Sequence, residues 1–102
     1  MILEHAILDV KPEHMEAYEA ALKQALPFIA ATSGFIKLDV RPCLETAGRY
    51  LLLAEWEKLT DHTVGFRQSE RYAEWKKLLH PFYAPFPVVE HYDEPVITSY
   101  AP

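Results

Sequence analysis

The chain has 102 residues, of which half are hydrophobic and a quarter are charged, and its formal net charge is −5. This length predicts one domain spanning residues 1–102, and this composition favours a folded globular protein over a disordered one. The acidic balance and the scattered lysines and arginines argue against nucleic acid as a partner.

The first half of the chain predicts a strand, a helix and a second strand. Residues 2–10 form a strand that is mostly apolar on both faces. The helix begins at Lys11-Pro12-Glu13, should kink at Pro27 and is closed by Gly34. Apolar and polar residues alternate in residues 35–41, which is typical of a strand near a sheet edge with one face in water.

The second half begins with residues 49–56, RYLLLAEW, a continuous apolar run typical of a central strand. Thr60 is expected to cap a short helix. Ser69 is expected to cap a second helix, residues 70–79, which Pro81 ends.

Residues 88–93 supply a fourth strand, and residues 95–102 follow as a C-terminal arm. The order β-α-β-β-α-α-β predicts the α+β ferredoxin-like split βαβ fold with an antiparallel sheet. Two helical segments cover only one face of such a sheet, whereas the first and third strands are apolar on both faces. We therefore expect a homodimer in which a second copy covers the other face.

The chain resembles the antibiotic biosynthesis monooxygenase family of the dimeric α/β-barrel superfamily. The resemblance covers nearly the whole chain and rests on VKPEHMEAYEAAL after the opening strand, the pair Gly34-Phe35, AEWE at residues 54–57, and DHTVGFRQSERYAEW at residues 61–75. It implies a dimeric α/β barrel of ferredoxin-like subunits. It also implies that dioxygen oxidises a quinol-like or anthrone-like aromatic without a cofactor, in a dry pocket that supplies a proton acceptor.

Three histidines are candidate catalytic residues. His62 falls in the first turn of its helix, where the dipole leaves a neutral ring able to accept a proton, although a partly solvated ring is the structural alternative. His80 falls in a last turn, where the dipole favours the charged ring, so the two pKa values should be pushed apart; a C-terminal cap is its alternative. His5 shares a strand face with Leu3 and Ile7 and should be buried, either in the pocket or in the core.

Aromatic residues are concentrated in the second half of the chain, and most of them should pack in the core. The candidates for substrate contact are Trp56, Phe66, Trp75, Tyr83 and His91. Asp61 and Arg67 are candidate partners at the pocket mouth, although a solvated helix face explains them equally well. The stretch LLHPFYAPFPVVEHY, residues 78–92, predicts a stiff connector whose rings form part of the pocket wall.

The histidines show no HxH, HxxxH or HxxE spacing, so we expect no metal site.

The resembled family includes haem degraders that rely on an asparagine in the first strand and a histidine in the second helical region. His5 stands near the first of these positions and Lys76 at the second, with His80 one turn later. Three alternatives therefore remain, namely a haem-degrading monooxygenase, a cofactor-free isomerase or decarboxylase, and a non-catalytic small-molecule binding dimer.

The expected location of the protein follows from what its sequence lacks. No apolar run approaches the roughly 18 residues of a membrane span, and the opening MILEHAILDV has no basic leader. Cys43 is the single cysteine and cannot close an intrachain disulfide. We expect a cytoplasmic protein without a membrane partner.

Overall fold

The computed structural model describes residues 1–102. Four strands form one antiparallel sheet in the order β2-β3-β1-β4, with bounds β1 Ile2–Asp9, β2 Phe35–Pro42, β3 Arg49–Trp56 and β4 Val89–Tyr92. The helices are α1 Met15–Ala30 and α2 Glu70–Leu79. A 3-10 turn at Pro12–His14 precedes α1, a π-helical segment at Asp61–Phe66 precedes α2, and a 3-10 turn at His80–Phe82 follows α2. This is the α+β ferredoxin-like fold that the element order predicts.

One face of the sheet packs against the helices and forms the core. The 13 buried apolar residues of this core are Ala6, Leu8, Val10, Tyr18, Ala25, Ile29, Tyr50, Leu52, Ala54, Trp56, Phe66, Trp75 and Leu79. Because side chains alternate along a strand, Leu3, His5 and Ile7 of β1 point to the opposite face, where they are partly exposed. The predicted central position of β3 is confirmed, since β3 lies between β2 and β1.

The first helix ends earlier than the sequence indicates. α1 passes through Pro27 and ends at Ala30, and Gly34 lies in the turn that enters β2 with a φ of +87°. Glycine adopts this left-handed conformation without steric cost, and a Cβ at this position would collide with the Asp61 carboxylate. Gly34 therefore shapes the turn into β2 instead of closing the helix.

The two predicted caps of the second helical region have different outcomes. Ser69 caps α2, because its side chain accepts the backbone N–H of Tyr72. The prediction for Thr60 is wrong, since its backbone is already helical and its side chain caps nothing. Asp61 stabilises this turn instead, because its carboxylate accepts the backbone N–H of Lys58 at 3.0 Å.

The last eight residues follow β4 without regular secondary structure, and Val96, Ile97 and Tyr100 are exposed. Their role as an arm stays a prediction. None of the helices combines the length and the apolar character needed to cross a bilayer.

Candidate functional site

A cavity of about 50 Å³ lies between the helices and the inner face of the sheet. The predicted site residues that line it are His62, Phe66, Trp75, His80 and Tyr83. Known small-molecule sites enclose roughly 300 Å³ or more, whereas one water needs about 10–15 Å³. The cavity in this state therefore holds a few non-hydrogen atoms and no complete aromatic ring system.

The π-helical segment brings His62 and Phe66 to the cavity wall, and both side chains are buried. The His62 ring stacks on Trp56, with ring centroids 5.1 Å apart and planes inclined by 23°. Phe66 packs beside both rings, since its centroid lies 6.3 Å from that of His62 and 6.2 Å from that of Trp56. Trp56 does not line the cavity, so it supports His62 from behind.

A chain of four polar side chains runs through this region. Trp56 donates its indole N–H to Glu4 Oε1 at 3.0 Å, and His62 Nε2 lies 3.4 Å from the same oxygen. On the other side of the ring, His62 Nδ1 is 2.8 Å from His91 Nε2. Both nitrogens of His62 are therefore engaged by protein groups, and His91 acts behind His62 instead of lining the cavity.

Burial is the largest influence on the pKa values of His62 and Glu4. Burial lowers the pKa of His62 to about 3, and the charge of Arg67 and the ring of His91 act in the same direction. The lowered pKa agrees with the predicted neutral state of His62, and its largest cause is burial. Burial raises the pKa of Glu4, while the hydrogen bond from Trp56 and the charge of Arg67 oppose that rise.

His80 is the histidine of the cavity wall whose ring nitrogens make no hydrogen bond to the protein. Its ring packs edge-on against Phe86 at a centroid distance of 4.9 Å and against Tyr72 at 6.0 Å. Burial, followed by the charge of Lys76, lowers its pKa. The prediction that the pKa values of His62 and His80 shift in opposite directions is therefore wrong, because burial lowers both pKa values and at His80 outweighs the dipole.

The connector between α2 and β4 contributes to the cavity wall, as its sequence predicts. His80, Tyr83 and Pro87 line the cavity from this connector. The Tyr83 hydroxyl lies 2.9 Å from the hydroxyl of buried Tyr18, and burial raises the pKa of Tyr83 to about 12. Tyr83 therefore keeps its proton at neutral pH and is a potential hydrogen-bond donor in the wall.

The structure does not bring His5 to this cavity. His5 and Glu4 are consecutive in β1 and point to opposite faces of the sheet. His5 lines an open depression on the outer face, and its buried Nδ1 atom has no hydrogen-bond partner. Asp61 also lies outside the cavity wall, whereas Arg67 lines it.

Glu4 is the site residue that sequence reasoning missed. Its side chain is buried and lines the cavity on the same strand face as Ala6 and Leu8. The alternation of buried and exposed positions along β1 could have indicated this role. An acidic residue on the same strand face as two core residues is buried with them and requires a buried partner.

A larger groove of about 290 Å³ lies between α1 and strands β2 and β3. It is lined mainly by aliphatic residues, and the carboxylate of Glu19 accepts the hydroxyl of Tyr50 at 2.7 Å. No histidine lines this groove. We place the site in the smaller cavity because the free base and the buried polar chain lie there. No three His, Cys, Asp or Glu side chains of the protein converge in a way that suits a metal ion.

Comparison with known proteins identifies related sequences. The sequence model of the antibiotic biosynthesis monooxygenase family matches residues 1–78. The uncharacterized protein YczJ of Bacillus subtilis (strain 168) is 48% identical over 94 residues, which are 92% of this chain and 99% of YczJ.

Solved structures agree with this relationship. An antibiotic biosynthesis monooxygenase family protein from Bordetella bronchiseptica is 33% identical and superposes with a TM-score of 0.86, over 93% of this chain and 97% of that one. A Streptomyces coelicolor monooxygenase from the gene ActVA-Orf6, in complex with nanaomycin D, superposes with a TM-score of 0.79 at 17% identity, over 98% of this chain and 92% of that one. The second likeness concerns the fold alone.

Proposed function

This chain belongs to the antibiotic biosynthesis monooxygenase family, and we propose that it is a cofactor-independent monooxygenase that oxidises a small quinol-like or anthrone-like aromatic with dioxygen. The observation that carries the proposal is the unpaired ring of His80 in a wall of aromatic side chains, facing a cavity backed by the buried Glu4–His62–His91 chain. A free base beside an aromatic wall is what such a reaction requires from the protein.

The reaction balances with substrate and dioxygen alone. In an anthrone, the ring CH₂ group becomes a carbonyl: one oxygen atom enters the substrate and the other leaves as water with the two hydrogens. The four electrons that reduce dioxygen all come from the substrate. The reaction begins when the substrate loses a proton, because the resulting carbanion or phenolate is electron-rich enough to pass an electron to dioxygen.

The cavity residues have separate roles in this proposal. His80 accepts the substrate proton, since its ring nitrogens are not engaged by the protein. Tyr83 donates a hydrogen bond to a substrate oxygen, because its pKa of about 12 keeps the hydroxyl protonated. His62 is a positioning residue, because both of its nitrogens are occupied and it holds the carboxyl of Glu4 at the wall.

Substrate entry requires the connector to move. The cavity of about 50 Å³ is smaller than a bicyclic aromatic, and Tyr83 and Pro87 of the connector form part of its wall. Displacing this surface segment outward enlarges the cavity without unfolding the sheet. Closure over the substrate then excludes water from the reacting atoms.

We further propose that the protein is a homodimer with the outer faces of two sheets packed together. The outer face carries Leu3, Ile7, Leu51 and Leu53, all of which retain exposure to solvent in the single subunit. His5 lies among them with its Nδ1 atom unpaired. A second copy buries this apolar surface.

Oxygen uptake with a panel of reduced naphthoquinols and anthrones tests the monooxygenase proposal. We expect uptake with the wild type and a loss of about 100-fold or more with His80→Gln, the usual contribution of a general base. His14→Gln is the matched control, since His14 is exposed and lies outside the cavity, and it should keep full activity. Equal uptake by His80→Gln and wild type contradicts the assigned base. No uptake across the panel contradicts the monooxygenase and favours an isomerase, a decarboxylase or a binding protein.

A further inference from the structure

Arg67 is the one lysine or arginine in the cavity wall. It follows the π-helical segment directly, and its backbone N–H bonds to the carbonyl of His62 at 3.0 Å. This bond places Arg67 one turn beyond His62. The main chain therefore holds the Cα atom of Arg67 in a defined position beside the cavity.

The guanidinium of Arg67 has no partner within the protein. It forms neither an ion pair nor a hydrogen bond, although the side chain is partly buried. Two other arginines are engaged: Arg49 pairs with Asp9 at 2.9 Å, and Arg71 donates to the carbonyl of Phe28 at 3.2 Å. Glu4 shares the cavity wall with Arg67, yet their charged atoms are not within ion-pair distance.

No group at the cavity forms an ion pair with Arg67. The neighbouring histidines are not anions, and burial raises the pKa of Glu4 while the hydrogen bond from Trp56 and the charge of Arg67 oppose that rise. The positive charge of Arg67 also adds to burial in lowering the pKa values of His62 and His91. An anion that enters the cavity therefore meets a positive potential and five unused N–H donors.

We propose that the ligand of this cavity carries an anionic oxygen, a carboxylate or an ionised phenol on an aromatic ring, and that Arg67 binds that oxygen. The volume of about 50 Å³ matches such a head group, whereas the ring occupies the space that opens when the connector moves. Phe66 and Trp75 then provide the apolar contacts for the ring. The planar guanidinium suits a carboxylate, because it donates two parallel hydrogen bonds.

This inference deepens the proposed function, on which it rests for the identity of the ligand as substrate. Under that proposal Arg67 selects substrates that are already anionic, or that ionise on binding. It also places the negative charge beside the ring that is about to react with dioxygen. Arg67 is thus a specificity-determining residue, separate from the base His80.

The test compares binding of benzoate with that of benzamide, its neutral counterpart of nearly the same shape. Binding is followed by tryptophan fluorescence, because Trp75 lines the cavity and Trp56 stacks on His62. The wild type should bind benzoate at least about 10-fold more tightly than benzamide, the range of charge-assisted hydrogen bonds. Arg67→Gln should lose this preference, and Arg67→Lys should keep part of it.

Lys77→Gln is the matched control, since it removes the same charge from an exposed site on α2, and it should keep the preference for benzoate. Thermal melting verifies that Arg67→Gln is folded. Equal affinity of the wild type for both probes, absence of benzoate binding, or a preference that survives in Arg67→Gln each overturns the inference. The assay needs no turnover, so a protein that prefers benzoate but consumes no oxygen contradicts the monooxygenase proposal and leaves Arg67 as an anion-binding residue.

Discussion

At the scale of single residues, His62 is the most constrained side chain of the site. It is 3% exposed, stacked on an indole ring, hydrogen-bonded to His91 through Nδ1 and in contact with Glu4 through Nε2 at 3.4 Å. A charged imidazolium in this position loses its hydration and lies near the charge of Arg67. The neutral ring instead lies between buried Glu4 and partly buried His91 and shares a hydrogen bond with His91.

This environment predicts an acid-sensitive fold. The folded-state pKa of His62 is about 3, against 6.5 for the free residue, so the unfolded state binds the extra proton as the pH falls below 6.5. The stability associated with His62 is present above pH 6.5 and is lost towards pH 3, at about 1.4 kcal/mol per pH unit. Glu4, whose pKa is raised, acts in the opposite direction and offsets part of this loss.

Urea unfolding at a series of pH values measures the effect. The free energy of unfolding should fall less steeply on acidification in His62→Gln than in the wild type. His14→Gln, which removes an exposed histidine, should retain the wild-type slope. An unchanged slope in His62→Gln contradicts the lowered pKa of His62.

At the scale of elements, the site depends on how the π-helical segment is held against the rest of the fold. Asp61 begins this segment, and its carboxylate both accepts the N–H of Lys58 and lies against Gly34, in the turn into β2. The turn and the segment are therefore packed too closely for any side chain at Gly34. The position of His62 is coupled to this contact, because His62 directly follows Asp61.

Two alanine substitutions test this coupling. Gly34→Ala should destabilise the protein by about 2 kcal/mol or more, because the backbone is left-handed and the new methyl group displaces Asp61. Gly65→Ala is the control within the π-helical segment, where the new Cβ would lie 3.6 Å from Thr32 in ordinary contact, and its stability should be unchanged or up to about 1 kcal/mol higher. The free energy of unfolding measures both effects, and equal stabilities of the two variants contradict the close packing of this turn.

At the scale of the whole molecule, the proposed homodimer depends on the outer face of the sheet. Leu53 lies at its centre, directly opposite His5 of β1 and Asp39 of β2. Glu90 lies beyond His5 in the same row. A lysine at position 53 would therefore find acidic neighbours within its own subunit, and the subunit should still fold.

Leu53→Lys should convert the proposed dimer into monomers. In a dimer with the outer faces packed together, the two introduced charges would be buried in the interface. Light scattering should give a mass of twice 11.8 kDa for the wild type and 11.8 kDa for the variant. Leu44→Lys changes a residue that is 95% exposed and should remain dimeric. A wild-type monomer at micromolar concentration contradicts the dimer.

The sequence by itself determined the element order, the central position of β3 and the aromatic character of the connector. These features depend on local periodicity, which is set by strand and helix geometry and is visible in neighbouring residues. It also assigned eight residues to one pocket, and five of these line the cavity, namely His62, Phe66, Trp75, His80 and Tyr83. The other three, His5, Trp56 and His91, do not line it.

Only the tertiary structure decided which polar groups meet. Glu4 and His62 are far apart in the chain, and their contact depends on strand register and on the π-helical turn that no local pattern marked. The pKa of His80 likewise follows from burial by neighbouring side chains and not from its place at the end of a helix. Burial and long-range contact are properties of the packed chain, so their effect on charge became visible only once the strands and helices were in place.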